Sequence, residues 1–109
     1  MIKFWIDDMR PAPDDSYIWL KSVWEAKTYF TTRVRPEGSI LEVDEINLDH
    51  DAGDYYQNGG DYIKILDWLE ACQRLRKWKI YAIFKFHSMN PVGVQNMKKV
   101  CEKAGWRVE

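Results

Sequence analysis

Long apolar runs are missing from this 109-residue chain, and no stretch approaches the ~20 apolar residues that a membrane-spanning helix needs. The N-terminus also lacks a charged segment followed by an apolar run, so neither a secretory leader nor membrane insertion is expected. Cysteine is scarce. Only Cys72 and Cys101 occur, both in segments with helical spacing and neither in a C-x-x-C pattern, so the expectation is a reduced, cytoplasmic setting. Charge of one sign is lacking as well: 16 Lys and Arg against 17 Asp and Glu leave −1. That balance excludes the strongly basic character behind non-specific nucleic-acid binding. The densest basic run, Arg74, Arg76, Lys77 and Lys79, reads as the solvated end of a helix, favoured there by the macrodipole.

What is present suits a folded domain. Apolar residues make up 46% of the chain, with six Trp and six Tyr, enough for burial to offset the entropy of ordering. The length is that of a single domain, residues 1–109. An α/β domain this small with several exposed aromatic side chains is also a candidate for a homodimer.

Ile2 to Ile6 form a short apolar run that stops at Asp7-Asp8, the pattern of a buried strand ending in a polar loop. Two prolines and two acids make residues 10–16 an irregular loop. Tyr17 to Leu20 reads as a second strand, and Ser22 with Glu25 forms a capping box for a helix through about Phe30. Pro36 and Gly38 place a turn or excursion between Arg33 and Asp44, with a third strand from Glu45 to Leu48 ending at Asp49-His50-Asp51. Ala52 to Gly60 reads as a mobile loop. Tyr62, Ile65, Leu66 and Leu69 then recur at helical spacing through about Arg76. Ile80 to Phe86 is a fourth strand ending at His87-Ser88, Pro91 to Ala104 a final helix capped by Gly105, and Trp106 to Val108 a short last strand.

Strands alternating with helices predict a mostly parallel sheet flanked by helices, with ligands bound beyond the carboxyl ends of the strands. Asp7-Asp8, Asp49-His50-Asp51 and His87-Ser88 all fall there. About eight residues separate the first two strands, fewer than a parallel crossover normally requires. The helix expected between them is therefore short or missing, and an antiparallel hairpin is the competing topology. Each cluster also has a plain structural reading: an Asp-Asp pair as a turn or cap, and Asn90-Pro91 as an N-cap and first helical residue.

Ile6-Asp7-Asp8-Met9-Arg10-Pro11-Ala12-Pro13, Leu48-Asp49-His50-Asp51 and Phe86-His87-Ser88-Met89-Asn90-Pro91 together resemble the cyclic-phosphate processing receiver-like family. Gly59-Gly60-Asp61, Gly93, Asn96 and Met97 add to the resemblance. That family is similar in turn to the receiver domains of two-component signalling, and it implies a receiver-like, flavodoxin-like α/β fold. In receivers a tandem acidic pair after the first strand and an Asp after the third bind magnesium and accept phosphate; Asp7, Asp8 and Asp49 occupy the matching positions. Ser88 matches the small hydroxyl residue after the fourth strand. The receiver lysine after the fifth strand has no counterpart in Trp106 to Glu109, which sets ordinary phosphorelay apart.

The resemblance implies processing of cyclic phosphates, either RNA 2′,3′-cyclic ends or cyclic nucleotides. Opening such a ring by water needs a base, an acid and positive charge or donors near the phosphoryl oxygens. His50 and His87 are the only histidines and form the expected acid and base pair, their ordinary pKa near ~6.5 suiting proton transfer. Asp49 or Asp51 is placed to hold a histidine tautomer, while Arg10, Ser88 and Asn90 are the expected phosphate contacts. Asp7, Asp8 and Asp49 are hard oxygen ligands suited to Mg2+ or Mn2+. Of the aromatic residues, which read mainly as core, Trp19 and Tyr55-Tyr56 border the polar loops and are candidates to stack a base. The competing classes are a receiver-like signalling domain and a non-catalytic module that only binds a phosphorylated ligand.

Overall fold

Apolar residues recur at strand spacing and at helical spacing by turns, and the elements follow them. The computed structural model describes residues 1–109. Its order is β1 (Lys3–Ile6), β2 (Tyr17–Leu20), α1 (Val23–Arg33), β3 (Ile40–Leu48), a 3-10 helix (Gly53–Asn58), α2 (Ile63–Leu75), β4 (Lys79–Phe86), α3 (Pro91–Ala104) and β5 (Arg107–Val108). The strands form one all-parallel sheet in the order β2-β1-β3-β4-β5. This is the receiver-like α/β arrangement, and the hairpin alternative is excluded because Lys3 to Ile6 runs parallel to Tyr17 to Leu20.

Handedness decides which face each connection covers. The crossovers from β2 to β3, β3 to β4 and β4 to β5 all step the same way across the sheet. Right-handed connections then put α1, α2 and α3 on one face. Phe4, Ile6, Leu20, Leu41, Ile46, Leu48 and Phe84 pack there with Phe30, Ile65, Leu66, Leu69 and Met97 from the helices in one core. No helix is long and apolar enough to cross a membrane.

The step from β1 to β2 runs the opposite way, so residues 7–16 pass over the other face, and they do so without a helix. Side chains replace it. Asp7 Oδ1 accepts the backbone N–H groups of Met9 and Arg10 at 2.9 and 2.8 Å, and the Trp5 indole donates to the Arg10 carbonyl at 2.8 Å. Asp14 accepts from the Ser16 backbone and hydroxyl. These local turns let ten residues make a connection that usually takes a dozen or more. Trp5, beneath the loop, is only 6% exposed.

Two expectations need correction. β3 starts at Ile40, not Glu45, because the turn through Pro36 and Gly38 is closed by the Arg35–Ile40 bridge and leaves five more residues for the strand. Leu41 and Val43 face the core, then a bulge between Glu42 and Glu45 shifts the register, so Ile46 and Leu48 take over. That change of parity hides the longer strand from a period-two reading. The segment 52–60 is built as well. Ala52 is fully buried, its N–H donates to Asp61 Oδ1 at 3.0 Å, Tyr55 packs on the core, and Gly53–Asn58 form the 3-10 turns.

α1 and α3 begin where their caps predict. Ser22 accepts from the Glu25 N–H at 3.0 Å, and α1 runs to Arg33, three residues past the expected end. Asn90 accepts from the Gly93 N–H at 2.9 Å with Pro91 following it, and Gly105, at φ +83°, ends α3.

Candidate functional site

β1, β3 and β4 are neighbours in the sheet, so the residues after their carboxyl ends share one end of the molecule. Asp7, Asp8 and Asp49 each present an oxygen within 4.8 Å of the others. Asp7 is buried and fully engaged, with Oδ1 on the Met9 and Arg10 N–H groups and Oδ2 at 2.9 Å from His87 Nε2. Burial acts to raise its pKa, but those two N–H groups and the His87 ring outweigh it and hold the carboxyl below its ordinary value. Asp8 goes the other way. Burial, then the charges of Asp7 and Asp49, push its pKa up.

Asp8 has room only because residue 53 is glycine: a Cβ there, at φ +54°, would lie 2.2 Å from Asp8 Oδ2. Asp49 Oδ1 accepts the His50 N–H at 2.7 Å. Three carboxylate oxygens at this spacing are a hard donor set that fits Mg2+ or Mn2+, and a cation there would relieve the repulsion felt by Asp8. His50, Asp51 and Asp61 form a second group of potential ligand atoms within the same distance of one another.

The two histidines are both present, in different surroundings. His87 Nδ1 lies 2.7 Å from Asn47 Oδ1 and Nε2 lies 2.9 Å from Asp7 Oδ2. Asn47 donates its own Nδ2 to Glu45 Oε2, which turns its oxygen toward the ring. The ring also lies on Trp5, centroids 3.7 Å apart and planes 6° from parallel. Burial disfavours a charged ring and lowers the His87 pKa, with Asp7 opposing the shift. Both partners are acceptors, so a neutral ring donates to one of them, and its other nitrogen is enclosed against the second.

His50 Nδ1 lies 2.8 Å from Asp51 Oδ1, and Nε2 has no hydrogen-bond partner in the protein. Its ring rests on the first turn of α3, where a Cβ on Gly93 would come within 2.5 Å of it. Beside it opens a cleft of about 420 Å³ lined by Arg10, Asp49, Asp51, Ser88, Met89, Asn90 and Pro91. Arg10 is the one cation of that lining, and its Nη1 donates to the His87 carbonyl at 3.1 Å. Ser88 Oγ accepts the Asn90 N–H at 3.0 Å. Asn90 is thus both the α3 cap and a wall of the cleft.

Asp7, Asp8, Arg10, Asp49, His50, Asp51, His87, Ser88 and Asn90 therefore lie at this end. A family model described as the Cyclic-phosphate processing Receiver domain matches residues 2–103. The chain belongs to that family. No curated protein and no solved structure matches it. In this cyclic-phosphate processing receiver domain the matched span includes all three polar loops and the three helices on the covered face up to the last residue but one of α3.

Trp5 and Asn47, which hold His87, escape a reading of the sequence. Trp5 looks like one more core aromatic. Asn47 does leave a trace, as a poor strand former inside β3 two residues before Asp49. Trp19 serves the scaffold: its indole donates to the Asp7 carbonyl at 2.8 Å and Lys21 Nζ sits 4.5 Å over its ring. Tyr55 packs on the core, and of the pair only Tyr56 is well exposed.

Proposed function

We propose that this domain hydrolyses cyclic phosphodiesters, either RNA 2′,3′-cyclic ends or cyclic nucleotides. The observation that carries the reading is a cleft lined by Arg10, Asp49 and Asp51, in which Asp49 belongs to the Asp7–Asp8–Asp49 cluster and Asp51 holds His50, whose Nε2 is uncommitted. Asp51 holds the proton on His50 Nδ1, which leaves Nε2 to act as base. Water forms a bond to phosphorus as His50 takes its proton; the bond to one ribose oxygen breaks, and the same imidazole returns the proton to that oxygen. Arg10 pairs with the phosphoryl oxygens, and Ser88 and Asn90 supply further donors.

Asp8 and Asp49 would hold a divalent cation, with Asp7 supporting them. Bound there, Mg2+ or Mn2+ supplies positive charge against the phosphoryl oxygens. The carboxylates make this a requirement, since an anionic substrate beside them meets repulsion that one Arg10 does not offset. His87 acts through Asp7 as a positioning residue, its nitrogens being spent on Asn47 and Asp7.

The test is to incubate the purified protein with an RNA ending in a 2′,3′-cyclic phosphate and with a 2′,3′-cyclic mononucleotide, with and without EDTA, beside His50→Ala and Asp49→Ala. Ring opening that EDTA, His50→Ala and Asp49→Ala each abolish supports the reading. Independently of turnover, Mg2+ or Mn2+ at about 100 times Kd is expected to stabilise the wild type by roughly 2.7 kcal/mol in thermal denaturation, and Asp49→Ala not at all. Intact rings with every divalent ion supplied would sink the hydrolase; tight ligand retention without turnover would point to a binding module.

A further inference from the structure

Charge is distributed along the strand axis, and the distribution bears on which cyclic phosphate the cleft accepts. The loops around the site, residues 7–10 and 49–61, carry Asp7, Asp8, Asp49, Asp51, Asp54 and Asp61 against the single cation Arg10. Even one divalent cation leaves that rim negative. Beyond it on the same end, Lys21 is folded over the Trp19 ring and Lys64 lies in the first turn of α2.

The cations collect at the other end. Each helix runs against the strands, so the last turns of α1, α2 and α3, with Arg33, Arg74 and Lys103, lie at the pole opposite the cleft. Arg76 and Lys77 precede β4 and Lys79 opens it, at that same pole. The eight residues of β4 separate the two poles by about 26 Å. That is roughly three screening lengths at physiological salt, so the basic pole gives no help to a phosphate at the cleft.

We propose that the substrate is a small cyclic nucleotide and that the end of an RNA chain is excluded. This rests on the ring-opening function proposed above. A cyclic mononucleotide brings one phosphate, which Arg10 and the carboxylate-held cation neutralise. An RNA end brings further phosphates across an acidic rim whose one cation, Arg10, is taken by the terminal phosphate, whereas RNA-binding grooves track the backbone with positive charge. The size of the cleft agrees: 420 Å³ lies within the ~300–1,000 Å³ of small-molecule pockets. Its outer wall carries Met89, 86% exposed beside the phosphate seat, where a thioether can lie against the face of one base.

The experiment compares a 2′,3′-cyclic mononucleotide with a short RNA carrying the same terminal base and a 2′,3′-cyclic phosphate, with Mg2+ or Mn2+, at low and at raised salt. The mononucleotide is expected to be favoured at least about tenfold in kcat/KM at low salt, the gap closing as salt screens the rim. Asp54→Lys, on the rim and outside the reacting groups, should raise the rate on RNA several-fold and leave the mononucleotide within about twofold. Equal rates, or RNA preferred at low salt, overturn the inference. Calorimetric binding to His50→Ala separates this inference from the function it rests on. Mononucleotide bound in preference to RNA, with no turnover by the wild type, removes the hydrolase and keeps the preference; binding of neither removes both.

Discussion

His50 and His87 follow neighbouring strands at the same end of the sheet, yet the protein treats them in opposite ways. His87 is enclosed: Trp5 covers a face of its ring, Asn47 and Asp7 take both nitrogens, and the Arg10 side chain holds its carbonyl. His50 is anchored by one nitrogen to a carboxylate and laid against a glycine, with the other nitrogen uncommitted. The lesson is that a histidine at a strand end is a candidate for proton transfer only if its hydrogen-bonding capacity has not already been consumed. In the function proposed above, the first positions Asp7 and the second carries the proton.

The comparison breaks or holds most visibly in a pair of variants. His50→Ala is expected to lower kcat by about 10²–10⁴-fold, the usual contribution of a general base, while changing stability by less than about 1 kcal/mol. His87→Ala is expected to lose roughly 2–4 kcal/mol in denaturant unfolding, because Asp7 and Asn47 lose a buried partner and Trp5 loses its stacked ring. If His87→Ala proves as stable as the wild type and His50→Ala does not, the two roles have been exchanged.

A smaller effect is expected from Gly93→Ala. Alanine in place of glycine favours a helix by about 1 kcal/mol in isolation, but here the added methyl would strike the His50 ring. Displacing that ring by an ångström should cost on the order of 10²-fold in turnover, with the fold retained by circular dichroism. Activity near that of the wild type would show that the placement of His50 on α3 is immaterial.

The smallest effect is a pH dependence of stability without divalent ions. Because the folded-state pKa of His87 is lowered, the unfolded chain binds that proton more readily, so stability is lost as pH falls below about 6.5 toward the folded value. Asp7, also lowered, adds a second loss as pH falls below about 3.9. Asp8, raised, runs the other way and softens the loss, since protonating it relieves its repulsion from Asp7 and Asp49. Unfolding curves measured from pH 8 to 3 should show the first step in the wild type and in His50→Ala, and not in His87→Ala.

Much of the fold was legible because its signals are local. The caps at Ser22 and Asn90, the glycine after α3 and the polar stops at Asp7, Asp49 and His87 each act over a few residues. The start of β3 was not, because the bulge between Glu42 and Glu45 moves the core-facing positions from odd to even numbers and hides the alternation on which the reading depends. The parallel path from β1 to β2 was not legible either. It relies on the Asp7 turn and the Trp5 indole as substitutes for a helix, and neither has a spacing that marks it in advance.

By itself, the sequence determined the chemical inventory and where it collects: acids, two histidines and an arginine after apolar strands that can only be buried side by side. Parallel strands carry whatever follows them to a common end, so the site follows from the alternation of elements. Only the tertiary structure decided which histidine is free. The partners that enclose His87, Asn47 and Asp7, lie 40 and 80 positions away along the chain, and a ring nitrogen held against one of them is not open to a substrate.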